Sequence, residues 1–396
     1  MNTGPRTSGP LNIDPALTAL AAALHGEGPA VELSIGPDGQ LVVGHTVTPG
    51  CDDAVAVVRT SGSTGAPKAT ILTVEALAAS SMATAFALKG EGQWLLALPV
   101  QYVAGVQVLV RSLFAGTRPW VMDQSGGFTP EAFTAAALEL TDKIRFTSLV
   151  PTQLQRLLDA PSPDTLAVLR RFNGILLGGA PASAALLDTA REAGIRVITT
   201  YGSAETCGGC VYDGVPLEGV SVRVAEDGRI LLGGDTVAAG YLDSPESTDT
   251  FFEEDGVRWY RTNDLGIVDD DGRLTVLGRA DDVIITGGVK VSAAHVQAEL
   301  EKSDGVTAAF VAGVPSAEWG QAVAAYVALA EGGDSGGAPA AASGDHAVVH
   351  EQQWHQRLGL LAPKTVLTAP ELLMLPNGKP DRLAMIERLN ALHGGK

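Results

Sequence analysis

Between residues 130 and 199 helix-like stretches alternate with short apolar runs, and no other pattern in the chain restricts its fold so tightly. Residues 130–140 read as a helix, 144–150 as a buried strand, and a Pro-Thr pair opens a second helix over 152–158. A strand at 174–177, an alanine-rich helix at 182–193 and a strand at 195–199 repeat the order. Strands separated by helices pair in parallel, which predicts an α/β layer fold. In such sheets ligand loops lie at the carboxyl ends of the strands. Two of these ends are distinctive: Gly178-Gly179-Ala180-Pro181, and residues 199–205, which read TTYGSAE.

Beyond residue 215 the pattern changes to short strands with tight turns. Glu226-Asp227-Gly228 separates 219–224 from 229–232, and residues 269–272 separate 266–268 from 274–277, so both read as hairpins of a small β subdomain. Near Gly278-Arg279 the pattern restarts with a strand at 283–286, a Gly287-Gly288 turn, a helix at 292–302 and strands at 307–314 and 322–329. The expected division is a large N-terminal domain over 1–277 and a small α+β C-terminal domain over 278–396. Residues 331–344 form a low-complexity insert whose deletion should be nearly neutral.

The 396 residues leave room for a large core, and 45% hydrophobic with 18% charged residues is ordinary for a globular protein. No apolar run approaches the roughly 20 residues needed to cross a bilayer, and the polar N-terminus lacks the apolar centre of a signal peptide. Stable membrane insertion is therefore not expected, and a cytoplasmic location is. A formal charge of −18 opposes non-specific binding to nucleic acid or anionic membranes. The three cysteines are too few for a disulfide scaffold at this length; Cys207 and Cys210 form a CGGC pair that reads as a glycine-rich turn, with zinc or redox chemistry as the alternative.

Residues 60–68 read TSGSTGAPK, directly after the apolar stretch 54–58. Glycines let backbone N–H groups approach an anion, hydroxyls add donors, and lysine adds a point charge. The segment has the makings of a phosphate cradle, with a plain surface loop as the alternative. A P-loop NTPase would carry glycine before the lysine and Ser/Thr after it, whereas Pro67 and Ala69 flank Lys68 here.

Further along stand YRTNDLG at 260–266, GRADDVIITGG at 278–288 and LPNGKPDR at 375–382. In this order after TSGSTGAPK and TTYGSAE, they resemble the signature set of the adenylate-forming acyl-CoA synthetase superfamily over nearly the whole chain. The resemblance implies a large N-terminal domain, a small mobile C-terminal domain, and ATP with Mg²⁺. It also implies two half-reactions: a carboxylate attacks the α-phosphorus of ATP, and a thiol then displaces AMP. By resemblance Thr60, Ser61, Gly62, Ser63, Thr64, Gly65 and Lys68 wrap the β- and γ-phosphates, and Glu205 holds Mg²⁺. The resemblance further implies that Tyr201 and Gly202 lie against adenine opposite Gly179, Ala180 and Pro181, and that Asp264 and Arg279 contact the ribose. Asp281 matches the hinge, and Lys379 the catalytic lysine that bridges carboxylate and α-phosphate.

Residues 94–116 and 200–220 resemble one branch of that superfamily, the o-succinylbenzoate:CoA ligases of menaquinone biosynthesis in their short actinobacterial form. This implies 2-succinylbenzoate and coenzyme A as the other substrates, with small molecules as the main partners and a homodimer as the assembly considered. The acid keeps a second, aromatic carboxylate, so its pocket needs a donating or positive group. If 101–113 is helical, Gln107 and Arg111 share a face and could reach one ligand together, with a helix-surface salt bridge as the alternative for Arg111. Gln101, Tyr102 and Thr200 complete the expected acyl pocket, with Arg145 a weaker candidate. Two departures stand out: Gln101-Tyr102 replaces a histidine common after the LP pair, and Ala204 replaces the usual hydroxyl residue before Glu205, with Ser203 the nearest substitute. They leave two alternatives open, a ligase for another carboxylic acid and a weakened paralogue that binds nucleotide without turnover.

Overall fold

The computed structural model describes residues 10–60, 68–243, 249–329, 353–375 and 380–394. Ser61 to Gly65, Lys379 and the low-complexity stretch 331–344 lie outside them, and of Thr60 only the backbone is described. The chain divides into two compact units. The first comprises the described residues of Met1–Ala225, Leu231–Thr262 and Val268–Leu274; the second comprises those of Glu226–Ile230, Asn263–Ile267 and Thr275–Lys396.

The alternating region forms the expected α/β layer. Strands Gln93–Leu96, Arg145–Leu149, Gly174–Leu177 and Val197–Ser203 pair in parallel, in the order 93–96, 145–149, 174–177, 197–203. Residues 146–149 and 174–177 are buried throughout because helices cover both faces. On one face Phe133, Leu154, Leu157, Leu169, Leu186 and Ala190 from the intervening helices pack against Leu95, Leu149, Ile175 and Leu177. On the other, helices Val74–Leu88 and Val103–Phe114 bring Leu77, Val106 and Leu109 against Trp94, Leu96, Phe146, Leu176 and Ile198. Helix starts follow from the sequence: Thr73, Thr129, Ser162 and Ser183 each accept a backbone N–H three residues on through the side-chain oxygen.

A second sheet in the same unit takes the order Gly240–Tyr241, Lys68–Thr73, Ala54–Thr60, Ala30–Ile35, Leu41–Thr46. It places Lys68 at the first position of its strand. In the second unit strand Gly320–Leu329 is buried on both faces. Val323, Ala325 and Val327 meet Val296 and Leu300 of helix Ala293–Glu301, while Ala322, Ala324 and Tyr326 meet Met385 and Leu389 of helix Arg382–Gly394. Among the described residues no helix is long and apolar enough to cross a membrane.

Candidate active site

The carboxyl ends of the parallel strands carry the predicted loops. Strand Gly174–Leu177 runs into Gly178 to Pro181, and its neighbour Val197–Ser203 carries Thr200, Tyr201 and Gly202 before a single 3₁₀ turn, Ala204–Thr206, that presents Glu205. The chain then reverses at Cys207, whose φ of 51° is left-handed, and strand Gly208–Tyr212 returns antiparallel with Gly209 opposite Gly202. Only glycine fits at 202: a Cβ there would lie 2.1 Å from the Gly208 carbonyl oxygen. Thr206 locks the turn by accepting the Ser203 N–H at 3.0 Å and donating to the Gly208 carbonyl at 2.8 Å.

Glu205 is 6% exposed, and its Oε1 accepts a hydrogen bond from the Tyr241 hydroxyl at 2.8 Å. Burial, then the charge and the hydrogen bond of Glu205, push the Tyr241 hydroxyl far above the usual phenol range, so it stays a donor. Lys68 lies over the same ring, its Nζ 4.8 Å from the centroid. Ser203 Oγ is buried without a hydrogen-bond partner among the described residues, an orphan donor two positions from Glu205. Among the described residues no three His, Cys, Asp or Glu side chains gather as a metal site. A cation here would be held by one carboxylate together with oxygens of the anion it accompanies, which is how Mg²⁺ travels with a polyphosphate. One acidic group, an orphan hydroxyl and a lysine suit that load.

The residues expected to line the acyl pocket have separate surroundings. Gln107 and Arg111 are both buried on helix Val103–Phe114, and Gln107 Oε1 and Arg111 Nε have no hydrogen-bond partner among the described residues. The Gln107 amide donates to the Cys207 carbonyl at 2.5 Å and to Ser80 Oγ at 3.1 Å, so it braces the turn behind Glu205. One turn later, the Arg111 guanidinium sits over Trp94 at 5.3 Å and lines a small cavity with Ser81, Thr84, Glu91 and Phe146. Trp94 and Phe146 are the second residues of their strands, so Arg111 faces the amino end of the sheet. Arg145 begins its strand at the same end and donates to the Asp142 carbonyl. Thr200 is wedged between Gly178 and Gly209 and donates to the Leu177 carbonyl at 3.3 Å. Gln101 and Tyr102 precede the helix at the carboxyl side of strand Gln93–Leu96, with Gln101 Oε1 buried and unpartnered among the described residues.

Cys207 and Cys210 are buried free thiols. Burial pushes both up, Cys210 to about 12, which keeps them protonated and poor nucleophiles.

In the second unit Asp264 lies on strand Val257–Val268 and Arg279 ends strand Leu274–Arg279, 3.7 Å apart. The Arg279 fork grips Asp281 with both nitrogens, Nε at 2.8 Å and Nη2 at 2.9 Å. Burial raises the Asp281 carboxyl, but the Arg279 hydrogen bond and charge outweigh it and hold the group below the usual aspartate range. The adjacent Asp282 pairs with Arg382. Its burial outweighs that pairing and pushes it up.

Sequence reading did not find Tyr241, Thr206 or Ser80. Tyr241 sits in a two-residue strand, too short for any periodicity to mark.

The model of the AMP-binding enzyme family matches residues 25–242. A probable 2-succinylbenzoate–CoA ligase of Mycobacterium tuberculosis is 45% identical over 296 residues, covering 74% of this chain and 75% of that protein. ATP-bound MatB from Rhodopseudomonas palustris superposes with a TM-score of 0.71 at 28% identity, over 90% of this chain and 74% of that one. The o-succinylbenzoate CoA synthetase MenE of Bacillus subtilis, in complex with the acyl-adenylate intermediate OSB-AMP, gives 0.69 at 27% identity, over 84% and 69%. The same enzyme with ATP and a magnesium ion gives 0.67 at 26%, over 83% and 69%.

Proposed function

Because the chain belongs to the AMP-binding enzyme family, we propose that it activates 2-succinylbenzoate with ATP and passes the acyl group to coenzyme A, releasing AMP and pyrophosphate, as a step of menaquinone biosynthesis. The observation that carries the choice of acid is the 45% identity to the mycobacterial ligase. The reaction brings two anions together, so the protein's task is charge neutralisation and in-line placement rather than a nucleophile of its own.

Residues 60–68 would cradle the outer phosphates, with the Lys68 ammonium and the orphan Ser203 hydroxyl as donors. Ser203 thereby supplies the hydroxyl that Ala204 lacks. Glu205 would hold the cation; Mg²⁺, when bound, draws the triphosphate oxygens together and offsets their charge. Tyr201 and the Gly179 to Pro181 loop would flank adenine. Asp264, an acceptor-only group when ionised, would take the ribose hydroxyls beside Arg279. Lys379 would place its ammonium between carboxylate and α-phosphate during the first half-reaction. Residues 278–396 would then rotate about Asp281 to admit the thiol of coenzyme A. The same reading places the enzyme in the cytoplasm and includes a homodimer, which sedimentation tests.

Incubation with ATP, Mg²⁺, coenzyme A and a panel of acids, followed by detection of AMP and thioester, tests the function. Acid-dependent AMP with 2-succinylbenzoate is the expected result, and no AMP with any acid would overturn it. Turnover with another acid only would favour a second reading, a ligase of different specificity, for which Gln101-Tyr102 is the motivating departure.

A further inference from the structure

We infer that Tyr241 is a positioning residue that fixes Glu205 and Lys68 in one frame, so that the cation and the outer phosphates of ATP meet a preset geometry. The inference rests on the adenylation reading above and adds a residue to it. Glu205 stands on the 3₁₀ turn after one sheet's strand, Lys68 opens a strand of another sheet, and the two are 137 positions apart in the chain. One short segment joins them. The Ala238 N–H donates to the Glu205 carbonyl at 2.9 Å, the Ala239 N–H to the Ile71 carbonyl at 3.0 Å, and the Leu242 N–H to the Ala69 carbonyl at 2.8 Å. Strand Gly240–Tyr241 thereby zips onto strand Lys68–Thr73, with Tyr241 opposite Thr70.

Tyr241 then uses both parts of its side chain. Its hydroxyl donates to Glu205 Oε1 at 2.8 Å, and its ring face lies under the Lys68 ammonium at 4.8 Å. The hydroxyl occupies one carboxylate oxygen, which leaves the acceptor capacity of Glu205 directed rather than free to rotate. The ring attracts the ammonium through its quadrupole without consuming any of its three N–H donors. The ring is itself held: Tyr241 is 5% exposed, and Phe251 meets it edge-on at 5.1 Å. Arg258 steadies the segment from the other side, donating through Nε to the Ala238 carbonyl at 2.8 Å and through Nη2 to that of Ala239. A tyrosine present for packing only would need neither the carboxylate nor the ammonium.

The two functions separate in two variants. Tyr241→Phe keeps the ring and removes the hydroxyl; Tyr241→Leu removes both. Mn²⁺ binding to the full chain is followed by electron paramagnetic resonance with saturating ATP, and ATP binding is measured separately in EDTA. Removing a hydrogen bond to a charged group should weaken Mn²⁺ binding about tenfold in Tyr241→Phe, while metal-free ATP binding stays at the wild-type value. Tyr241→Leu should show the same Mn²⁺ defect and a further loss of about threefold in metal-free ATP binding. Wild-type Mn²⁺ affinity in Tyr241→Phe, or an equal loss of metal-free and metal-dependent binding in that variant, would overturn the inference and leave the adenylation reading intact. A wild-type protein that binds no Mn²⁺ with ATP would overturn both.

Discussion

Gly202→Ala tests whether the turn that presents Glu205 depends on close backbone approach. Gly202 has φ +156°, which side-chain-bearing residues rarely adopt, and an added Cβ would lie 2.1 Å from the Gly208 carbonyl oxygen and 2.8 Å from Gly209 Cα. Carbon and oxygen in ordinary contact sit about 3.5 Å apart, so the two strands must part by roughly 1.4 Å. The obstructing atoms are backbone in register with Gly202, which leaves no flexible side chain to absorb the shift. Parting them costs ladder hydrogen bonds at about 1 kcal/mol each, and the backbone conformation adds about 1 to 3 kcal/mol. A destabilisation of about 3 to 5 kcal/mol follows, large against the roughly 5 to 15 kcal/mol by which domains are stable. Urea denaturation followed by circular dichroism measures it as a lowered midpoint at unchanged slope. The displaced strand end carries Glu205, so Mn²⁺ binding with ATP should fall as well. A loss below about 1 kcal/mol with wild-type Mn²⁺ affinity would refute the claim that this backbone contact sets the site.

Two further outcomes follow from separate parts of the chain. Lys379→Ala should lower acyl-adenylate formation by about 10² to 10³-fold while leaving attack of coenzyme A on preformed acyl-adenylate largely intact. Rapid-quench assays of each half-reaction check this, and equal losses would contradict a lysine that serves the first alone. In the second unit Glu301 is raised above the usual glutamate range by burial, which outweighs its hydrogen bonds from the Ala309 N–H and the Gln297 amide. Because its folded pKa exceeds its unfolded one, ionising it costs stability, and the cost is complete above the folded value. Glu301→Gln keeps an acceptor for both donors, so its melting temperature should exceed that of the wild type at pH 8. The gain should shrink as pH falls through the raised pKa, and a variant less stable at pH 8 would refute the assignment.

The parallel sheet is legible in the sequence where a strand buried on both faces is a short apolar run, while each helix carries a core-facing stripe. Residues 174–177 show this well: Gly-Ile-Leu-Leu is a four-residue run bounded by Asn173 and Gly178, and the strand has those bounds. Errors fall at the ends, where capping decides. The helix read over 182–193 begins only at Ala184 because Ser183 caps it, accepting the Leu186 N–H through its side chain. The strand read over 195–199 instead continues to Ser203, because strand Gly208–Tyr212 pairs with residues 200–203. That partner lies across a left-handed turn at Cys207, which no residue preference of cysteine announces.

The site is legible to a different extent because its signals differ in kind. Glycine-rich loops at strand ends mark where an anion can approach, since the chemistry needs bare backbone there. The side chains that orient the charged groups carry no such signature. Helical spacing puts Gln107 and Arg111 on one face, and that is correct, but a step of four residues also moves the side chain about 6 Å along the axis. Over that distance the surroundings change from the Cys207 carbonyl to the Trp94 ring, and the two residues meet different partners. Tyr241 shows the converse. Its two-residue strand has no period to detect, yet three backbone hydrogen bonds from residues 238–242 set its hydroxyl against Glu205 and its ring under Lys68. Periodicity reports which face is apolar; it is blind to contacts made by single residues distant in the chain, and those contacts aim the charges in this site.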